Sequence, residues 1–224
     1  MFRVEDKVVL VTGGTRGIGL GIAKAFSEAG AKVFTCGRTT PADDFPFEFF
    51  EGDVRDADSA AAIIRQVLHT AGRLDVLINN AGLFTNETIN SMDFDAIQRQ
   101  FDINAMVPLK LTMMLLPYMA EGSKIANITS RMGSIADNTS GSYYGYRASK
   151  AALNAFGKSL AMDLKPQGIA VAQLHPGFVK TRMVGFNGDI TPEEAAQGLA
   201  ARIDELTLEN SGGFWHSNGQ ELPW

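Results

Sequence analysis

The stretch Val8-Val9-Leu10-Val11-Thr12-Gly13-Gly14-Thr15-Arg16-Gly17-Ile18-Gly19 decides the fold of this 224-residue chain. Residues 7–12 form an apolar run that is typical of a buried strand. After the glycine cluster, residues 20–29 are rich in helix formers, and Gly30 stands where a helix C-terminal glycine belongs. Residues 31–36 predict a second strand. A strand, a glycine turn, a helix and a strand within about thirty residues predict a dinucleotide-binding unit.

The glycine turn has a physical role in such a unit. Glycines let the backbone approach a pyrophosphate closely, because they carry no side chain. The helix start, predicted at residues 17–19, offers free N–H groups and the positive end of a helix dipole. Tight packing alone also explains many glycine clusters, but the strand before this one and the helix after it favour nucleotide binding.

The end of the second strand indicates which nucleotide is bound. An NAD site normally places Asp or Glu there to bind the ribose 2′-hydroxyl. Here the segment is Cys36-Gly37-Arg38-Thr39, which has no carboxylate. Arg38 is suited to pair with a 2′-phosphate, and Arg16 in the glycine turn supplies a second cation. The pattern favours NADP(H) over NAD, and the alternative is that both arginines are ordinary surface charges.

Strands and helices alternate along the rest of the chain. Five further strands are predicted, at residues 45–51, 74–78, 124–130, 169–174 and 212–215. Helices are predicted at residues 57–71, at 91–119 with Ser91 as N-cap and a break at Pro108, from Tyr146 to Leu164, and from the N-cap Thr191 to Leu208. This alternation predicts a Rossmann-type, doubly wound α/β fold. We expect one parallel sheet of about seven strands with helices on both faces, in a single domain of residues 1–224.

Composition excludes several classes of function. Apolar residues make up 45% of the chain and charged residues 20%, which suits a sizeable core, and the net charge of −5 argues against a nucleic-acid partner. A single cysteine, Cys36, fits a reducing compartment. Residues 1–6 lack an apolar signal core, and no apolar run reaches about 18 residues. We expect a cytoplasmic protein with no membrane partner.

A candidate catalytic pair lies in Ser142-Tyr143-Tyr144-Gly145-Tyr146-Arg147-Ala148-Ser149-Lys150. On a helix, Tyr146 and Lys150 share one face. A phenol has a pKa of about 10, and a nearby ammonium lowers it, so the pair is a plausible acid/base device. A solvated surface pair is the alternative. No metal is predicted, because His69, His175 and His216 lack ligand spacing.

Taken together, these motifs resemble the short-chain dehydrogenases/reductases over almost the whole chain. The resemblance rests on residues 12–19, Asp53-Val54, Asn79-Asn80-Ala81-Gly82, Asn104, Ser130, Tyr146 with Lys150, and Pro176-Gly177 with Thr181. The second half, with residues 146–154 and His175-Pro176-Gly177, is similar to the C-factor-type carbonyl reductases.

This resemblance implies a role for each matched residue. Ser130, Tyr146 and Lys150 are expected to be catalytic, and Asn104 to be a structural and proton-relay residue. NADP(H) is expected to contact Tyr146, Lys150 and a further set of residues. That set comprises Gly13, Thr15, Arg16, Gly17, Ile18, Gly19, Arg38, Asp53, Val54, Asn80, Ala81, Gly82, Pro176, Gly177, Val179 and Thr181.

The reaction that the resemblance implies is reversible hydride transfer between a nicotinamide and a small carbonyl compound or secondary alcohol. The family also implies a homo-oligomer, a tetramer or a dimer, built on the helices at about residues 104–119 and 146–164. Met113, Leu116, Ala151 and Ala155 are the residues on these helices that suit close packing.

One spacing departs from the family pattern. Family members commonly place the serine thirteen residues before the tyrosine, whereas Ser130 lies sixteen before Tyr146 and thirteen before Tyr143. Only Tyr146 has a lysine four residues later, so we interpret the intervening loop as three residues longer. Ser134, twelve residues before Tyr146, is the less suitable serine.

Two alternatives to a carbonyl reductase remain. A 3-ketoacyl-carrier reductase needs a basic surface near the site, for which the candidates are Lys124, Arg131, Arg147, Lys180 and Arg182. A nucleotide-binding signalling protein with incidental turnover belongs to another class. For the reductase, the short segment 182–190 predicts an open, partly apolar pocket lined by Met132, Phe178 and Met183, although these three side chains suit loop packing equally well.

Overall fold

A seven-stranded parallel sheet forms the centre of the protein, with the strand order β3-β2-β1-β4-β5-β6-β7. The structure is a computed structural model that describes residues 4–41 and 44–224, so part of the amino-terminal stretch interpreted above, residues 1–3, lies outside it. The strands are β1 (Val8–Thr12), β2 (Lys32–Gly37), β3 (Glu48–Glu51), β4 (Val76–Asn79), β5 (Lys124–Ile128), β6 (Ala170–His175) and β7 (Phe214–His216). The predicted fold class is therefore confirmed.

Helices cover both faces of this sheet. They are α1 (Gly17–Glu28), α2 (Ala57–Ala71), α3 (Phe94–Phe101), α4 (Val107–Leu115), α5 (Tyr144–Leu164) and α6 (Pro192–Asp204). Alternate residues of β1 enter two separate cores, since successive side chains of a strand point to opposite faces. Val8 and Leu10 pack in the core covered by α2, α4 and α5. Val9 and Val11 pack in the core covered by α1 and α6.

The strand order places a crevice above the carboxyl ends of β1 and β4. These two strands are neighbours in the sheet, yet β1 continues through α1 to β2 on one side, and β4 leads towards β5 on the other. Ligands of open α/β sheets bind at such a switch point. The fold therefore directs attention to the loops that follow β1, β4, β5 and β6.

Some predicted helix ends are confirmed, and these are ends whose capping residues lie close in sequence to the helix. Asp56 accepts a 2.8 Å hydrogen bond from the backbone N–H of Ser59, and Gly72 ends α2 with a φ of 71°, so α2 has its predicted bounds. Thr191 caps α6 through a reciprocal pair of hydrogen bonds with Glu194. The predicted end of α6 at Leu208 was wrong, since the helix stops at Asp204.

The predicted helix at 91–119 is divided. Ser91 was the wrong N-cap, because its backbone pairs with Thr88, and Asp93 instead accepts a 2.8 Å hydrogen bond from Ala96 N–H. A π turn, Asp102–Met106, separates α3 from α4 and stands directly before the predicted break at Pro108. A 3₁₀ turn, Leu116–Tyr118, ends the region.

The third strand is shorter than the predicted 45–51, because ladder pairing with β2 begins only at Glu48. Two half-buried aromatic side chains of this stretch pack against the core. Phe50 stacks on Phe34 with ring centroids 5.7 Å apart, and Phe47 packs against the core on the other face.

Candidate active site

Helix α5 places the half-buried Tyr146 beside the buried Lys150. The Lys150 ammonium lies 5.8 Å from the centroid of the Tyr146 ring, and Lys150 is only 4% exposed. Its Nζ donates a 2.8 Å hydrogen bond to the carbonyl oxygen of Ile128, the last residue of β5. The alternative of a solvated surface pair therefore does not describe these two residues.

Ser130 reaches this pair from the end of β5. It is buried, and its Oγ accepts a 3.1 Å hydrogen bond from the backbone N–H of Met132 in the 3₁₀ turn Arg131–Gly133. Ser130 also hydrogen-bonds to Tyr146, an interaction that opposes the rise in the pKa of that phenol. By contrast, the hydroxyl of Ser134 accepts from the backbone N–H of Asp137 at 3.1 Å. The longer loop thus brings Ser130 to Tyr146.

Burial controls the ionisation of both groups. It raises the pKa of Tyr146 to about 12, and it lowers the pKa of Lys150 from 10.5 to about 8. The expectation that Lys150 lowers the pKa of Tyr146 was therefore wrong for the chain by itself, since the cost of desolvating the phenolate dominates. Tyr146 is held protonated at neutral pH.

Asn104 joins the loop after β4 to α5. Its Oδ1 accepts from the backbone N–H of Leu83 at 2.7 Å, while its Nδ2 donates to the carbonyl oxygen of Leu83 at 2.8 Å and to the hydroxyl of Ser149 at 3.0 Å. Gly82 lies against it, because a Cβ added there would be 3.3 Å from Asn104 Oδ1 and 3.9 Å from Lys150 Nζ. The π turn thus places an amide beside the catalytic candidates.

The glycine turn leaves the start of α1 open for an anion. Arg16 is the N-cap and its side chain caps no amide, and the first turn of α1 holds no acidic residue. Gly17 has a φ of 53°, a conformation that favours glycine. At Gly19 an added Cβ would come within 2.4 Å of Asn80 Nδ2, which donates to the carbonyl oxygen of Thr12 at 3.0 Å. Uncapped amides and an uncompensated helix dipole fit a pyrophosphate.

Arg38, Asp53 and Thr15 lie at the neighbouring part of the same edge. Arg38 is exposed directly after β2, and the Thr15 side chain approaches within 3.8 Å of a Cβ built on Gly37. A hydrogen bond from Arg55 is the main cause of the lowered pKa of Asp53, and the charge of Arg38 contributes to it. Val54 packs against the core covered by α2.

The loop after β6 closes the other side of the crevice. Gly177 has a φ of 96°, and Val179 is buried. The Pro176 carbonyl oxygen accepts a 2.9 Å hydrogen bond from the hydroxyl of Ser217. Across the crevice, Thr181 Cγ2 lies 3.5 Å from a Cβ built on Gly17, so this loop meets the start of α1. The structure thus brings the predicted cofactor residues of β1, β4 and β6 to one edge.

The five candidate cations do not form one surface. Lys124 stands at the amino end of β5, where its Nζ donates to the carbonyl oxygens of Ile203 and Asp204 at 2.8 Å each. That position is at the opposite end of the strand from Ser130. Arg131 is paired with Asp137. Lys124 therefore does not belong to the basic surface expected for a carrier-bound substrate.

Two buried residues near the site escaped the sequence analysis. Glu87 and Gln100 are 2% and 0% exposed, and they hydrogen-bond to each other at 3.0 Å. A glutamate in a polar loop is ordinarily solvent-exposed, so neither composition nor spacing marks Glu87. The burial of Glu87 depends on its pairing with residues distant in sequence, which only the structure reveals.

Membrane-spanning helices and metal clusters are both absent from the part of the chain that the structure describes. Within residues 4–41 and 44–224, none of the helices combines the length and apolar character needed to cross a membrane. Over the same ranges, no group of three or more His, Cys, Asp or Glu side chains is arranged to hold a metal ion.

Comparisons with known proteins identify relatives over most of the chain. The family profile described as short chain dehydrogenase matches residues 7–191. A 1-hydroxy-2-glutathionyl-2-methyl-3-butene dehydrogenase of Rhodococcus sp. (strain AD45) is 38% identical, with 96% of this chain and 99% of the relative covered. The C-signal protein of Myxococcus xanthus is 42% identical over 68% of this chain and 94% of its own length. The NADPH-bound carbonyl reductase from chicken fatty liver superimposes with a TM-score of 0.91 at 29% identity, covering 99% of this chain and 100% of that one.

Proposed function

Since the chain belongs to the short chain dehydrogenase family, we propose that it is an NADPH-dependent carbonyl reductase that transfers a hydride reversibly between the cofactor and a ketone, aldehyde or secondary alcohol. The observation that carries this proposal is the convergence of Ser130, Tyr146 and Lys150 beside the open start of α1. A proton donor and an anion-binding helix end then flank one crevice.

The preference for NADPH rests on charge. Arg16 and Arg38 are exposed at the glycine turn and at the end of β2, and the segment 36–39 at that strand end contains no Asp or Glu of the kind that binds a ribose 2′-hydroxyl. Two cations suit a 2′-phosphate. The likeness to the NADPH-bound chicken carbonyl reductase supports the same choice.

In this proposal the cofactor supplies the hydride, and the protein supplies position and a proton. Ser130 donates a hydrogen bond to the substrate carbonyl oxygen. Tyr146 gives its proton to that oxygen as negative charge develops there. Lys150 binds the nicotinamide ribose, and Asn104 holds Lys150 and the loop after β4 in register through Leu83 and Ser149. Tyr146 keeps its proton at neutral pH, so that proton is available for transfer in the reduction direction.

The substrate pocket is proposed to be open and partly apolar. Phe178 and Met183 are 51% and 46% exposed on the loop after β6, and that loop includes only a short 3₁₀ turn, Arg182–Val184. A wide mouth accepts carbonyl compounds with varied substituents. The Rhodococcus relative is named for a primary alcohol with a glutathionyl group, which supports bulky primary alcohols and the corresponding aldehydes as a substrate class. A carrier-bound ketoacyl substrate is less favoured, because Lys124 lies away from the site.

We further propose a cytoplasmic homo-oligomer, with a tetramer favoured over a dimer. Met113 on α4 and Met162 on α5 are 55% and 62% exposed. Exposed methionines on α4 and α5 suit an interface between copies of the chain.

The experiment that tests the function follows the loss of NADPH absorbance with a panel of ketones, aldehydes and ketoacyl thioesters, and repeats the panel with NADH. Turnover with NADPH well above that with NADH supports both the reaction and the cofactor. Preference for NADH contradicts the roles of Arg16 and Arg38 only. If no carbonyl compound is reduced with either cofactor, the signalling alternative gains support. The likeness to the C-signal protein then favours the same alternative.

A further inference from the structure

Glu87 is a buried acid in the loop between β4 and α3 that the proposed chemistry does not use. It is 2% exposed, and among the described residues no ion pair compensates its charge. Hydrogen bonds satisfy it instead. Its Oε1 accepts from the hydroxyl of Thr85 and from Gln100 Nε2, and its Oε2 accepts from the backbone N–H of Gly145 at 3.0 Å. Burying a carboxylate costs free energy even when three donors bind it. The buried position of Glu87 therefore calls for a structural explanation.

That reason lies at the start of α5. The N-cap of this helix, Tyr143, has a φ of 55° and makes no side-chain hydrogen bond to the first turn. Helix starts expose unpaired N–H groups and a positive dipole end, which Ser, Thr, Asp or Asn at the N-cap normally satisfies. Here Glu87, from another part of the chain, supplies two acceptors for N–H groups at the start of α5. Its carboxylate accepts from Gly145 N–H, and its backbone carbonyl accepts from Tyr143 N–H at 2.8 Å.

Gln100 and Gly145 fix the position of this cap. The Oε1 of Gln100 accepts from Thr85 N–H at 2.9 Å while its Nε2 donates to Glu87, so each group of its amide has a defined partner. A Cβ on Gly145 would come within 2.3 Å of Gln100 Nε2 and 2.9 Å of Ile97 Cα. Glycine at this position therefore lets α5 approach α3 closely enough for the carboxylate to reach its N–H.

The same loop also contacts the proton donor. Phe84 stacks against Tyr143 and meets the Tyr146 ring edge to face, with centroids 4.9 Å apart in the second pair. Tyr146 directly follows Gly145, whose N–H is bound by Glu87. We propose that Glu87 is a positioning residue that caps the catalytic helix from outside and thereby sets where the Tyr146 hydroxyl lies. This inference rests on the proposed function of Tyr146.

The test substitutes Glu87→Gln. Glutamine has one acceptor oxygen where glutamate has two, so Gly145 N–H, Gln100 Nε2 or the Thr85 hydroxyl loses its acceptor. We expect kcat for carbonyl reduction to fall at least about tenfold, because small misplacements of a reacting group are expensive. The dissociation constant for NADPH, measured by fluorescence titration, should stay within about twofold, since the glycine turn and Arg38 are not in contact with Glu87. Assays are run well below the unfolding temperature of each variant.

A partner swap provides the rescue. In the double variant Glu87→Gln with Gln100→Glu, the amide oxygen introduced at position 87 accepts from Gly145 N–H. Its NH₂ group donates to the new carboxylate at position 100 and to the Thr85 hydroxyl, which accepts as readily as it donates. That carboxylate still accepts from Thr85 N–H. Each pair is retained, with donor and acceptor reversed in two of them, so kcat should recover. Gln100→Glu alone opposes two carboxylates and should not be better than Glu87→Gln.

Glu209→Gln, an exposed glutamate, is the matched control and should match the wild type. The inference is overturned if Glu87→Gln keeps the wild-type kcat, or if kcat and NADPH binding fall in the same proportion, as for a generally disrupted fold. A wild-type chain that reduces no carbonyl compound overturns the proposed function instead, and the two failures are therefore distinct.

Discussion

The ammonium of Lys150 hydrogen-bonds to the carbonyl oxygen of Ile128 at 2.8 Å, while burial lowers its pKa to about 8. This contact connects α5 to the end of β5. It also makes the stability of the chain without cofactor depend on pH.

Between about pH 8 and 10.5 the unfolded chain holds the Lys150 proton and the folded chain does not. More protons bound in the unfolded state mean that the free energy of unfolding rises with pH in this window, by at most about 3 kcal/mol. Tyr146 acts in the opposite direction above its ordinary pKa of 10. Urea unfolding at about pH 7, 8 and 9.5 should therefore show a rise in the wild type that Lys150→Met lacks. Equal slopes in both proteins contradict the prediction.

Sequence spacing leaves two candidates for the catalytic tyrosine, Tyr143 and Tyr146. Substitution of each by phenylalanine tests which hydroxyl is needed. Tyr146→Phe removes the proton donor, so kcat should fall by at least about 100-fold with NADPH binding retained. Tyr143→Phe is the matched control, because Tyr143 uses its ring to stack on Phe84. Steady-state kinetics measures both. A larger loss in Tyr143→Phe than in Tyr146→Phe shows that the thirteen-residue spacing from Ser130 is the functional one.

Arg38 is predicted to discriminate between the two nicotinamide cofactors. Loss of a charged hydrogen bond to a 2′-phosphate costs about 1.5–3 kcal/mol, which is about 10–100-fold in affinity. Arg38→Gln should raise KM for NADPH by that factor and leave KM for NADH nearly unchanged. Arg65→Gln, an exposed arginine on α2, is the control. An equal effect on both cofactors indicates that Arg38 does not contact the 2′-phosphate.

Gly157 lies against a buried row of amides. Asn79 donates to Asn127 at 2.9 Å, and Asn127 donates to Gln173 at 3.2 Å, so the row crosses β4, β5 and β6. A Cβ on Gly157 would come within 1.9 Å of Gln173 Oε1 and 2.9 Å of Asn127 Nδ2.

Gly157→Ala should therefore destabilise the protein by about 1–3 kcal/mol, despite the better helix propensity of alanine. Ser159→Ala on the exposed side of α5 provides the comparison, with a change below about 0.5 kcal/mol. Urea denaturation measures both free energies of unfolding. If Gly157→Ala stabilises the protein, the prediction is wrong, and the amide row shifts to make room for the methyl group without a free-energy penalty.

The proposed interface on α4 and α5 is open to a direct test. Replacing both Met113 and Met162 by lysine places charges on the two exposed methionine positions and should lower the molar mass in solution. Light scattering coupled to gel filtration measures this mass. The double variant Lys110→Glu with Lys158→Glu reverses two exposed charges on the same helices and tests whether altered charge there is by itself enough to change the mass. An unchanged mass after the methionine substitutions places any interface elsewhere.

Local chemistry explains which parts of the fold were predictable. Asp56, Gly72 and Thr191 act on neighbours within a few residues, so the bounds of α2 and the start of α6 follow from the sequence. Ser91 has the right composition for an N-cap, but pairing with Thr88 occupies its backbone and Asp93 takes its place. The use of Asp93 in place of Ser91 depends on a bridge that composition does not encode.

The candidate site shows the same division. The glycine turn and the Tyr146–Lys150 pair are short-range patterns, and both were predictable. Glu87 was not, because its burial depends on Gln100 and Gly145, which are 13 and 58 residues away. The effect of burial on the pKa of Tyr146 likewise depends on packing around the helix, whereas the sequence showed only the neighbouring charge.

The π turn at Asp102–Met106 makes this region sensitive to chain length. Deleting one residue there would allow an unbroken α-helix, but it would rotate α4 by about 100° relative to α3. Leu111 and Leu115, which are buried in the core, would then leave it, or Asn104 would turn away from Leu83. Substitutions at the turn preserve the phase between the two helices, whereas single insertions and deletions do not. We therefore expect evolution to conserve the length of this turn and Asn104 within it, while the other residue types of the turn vary.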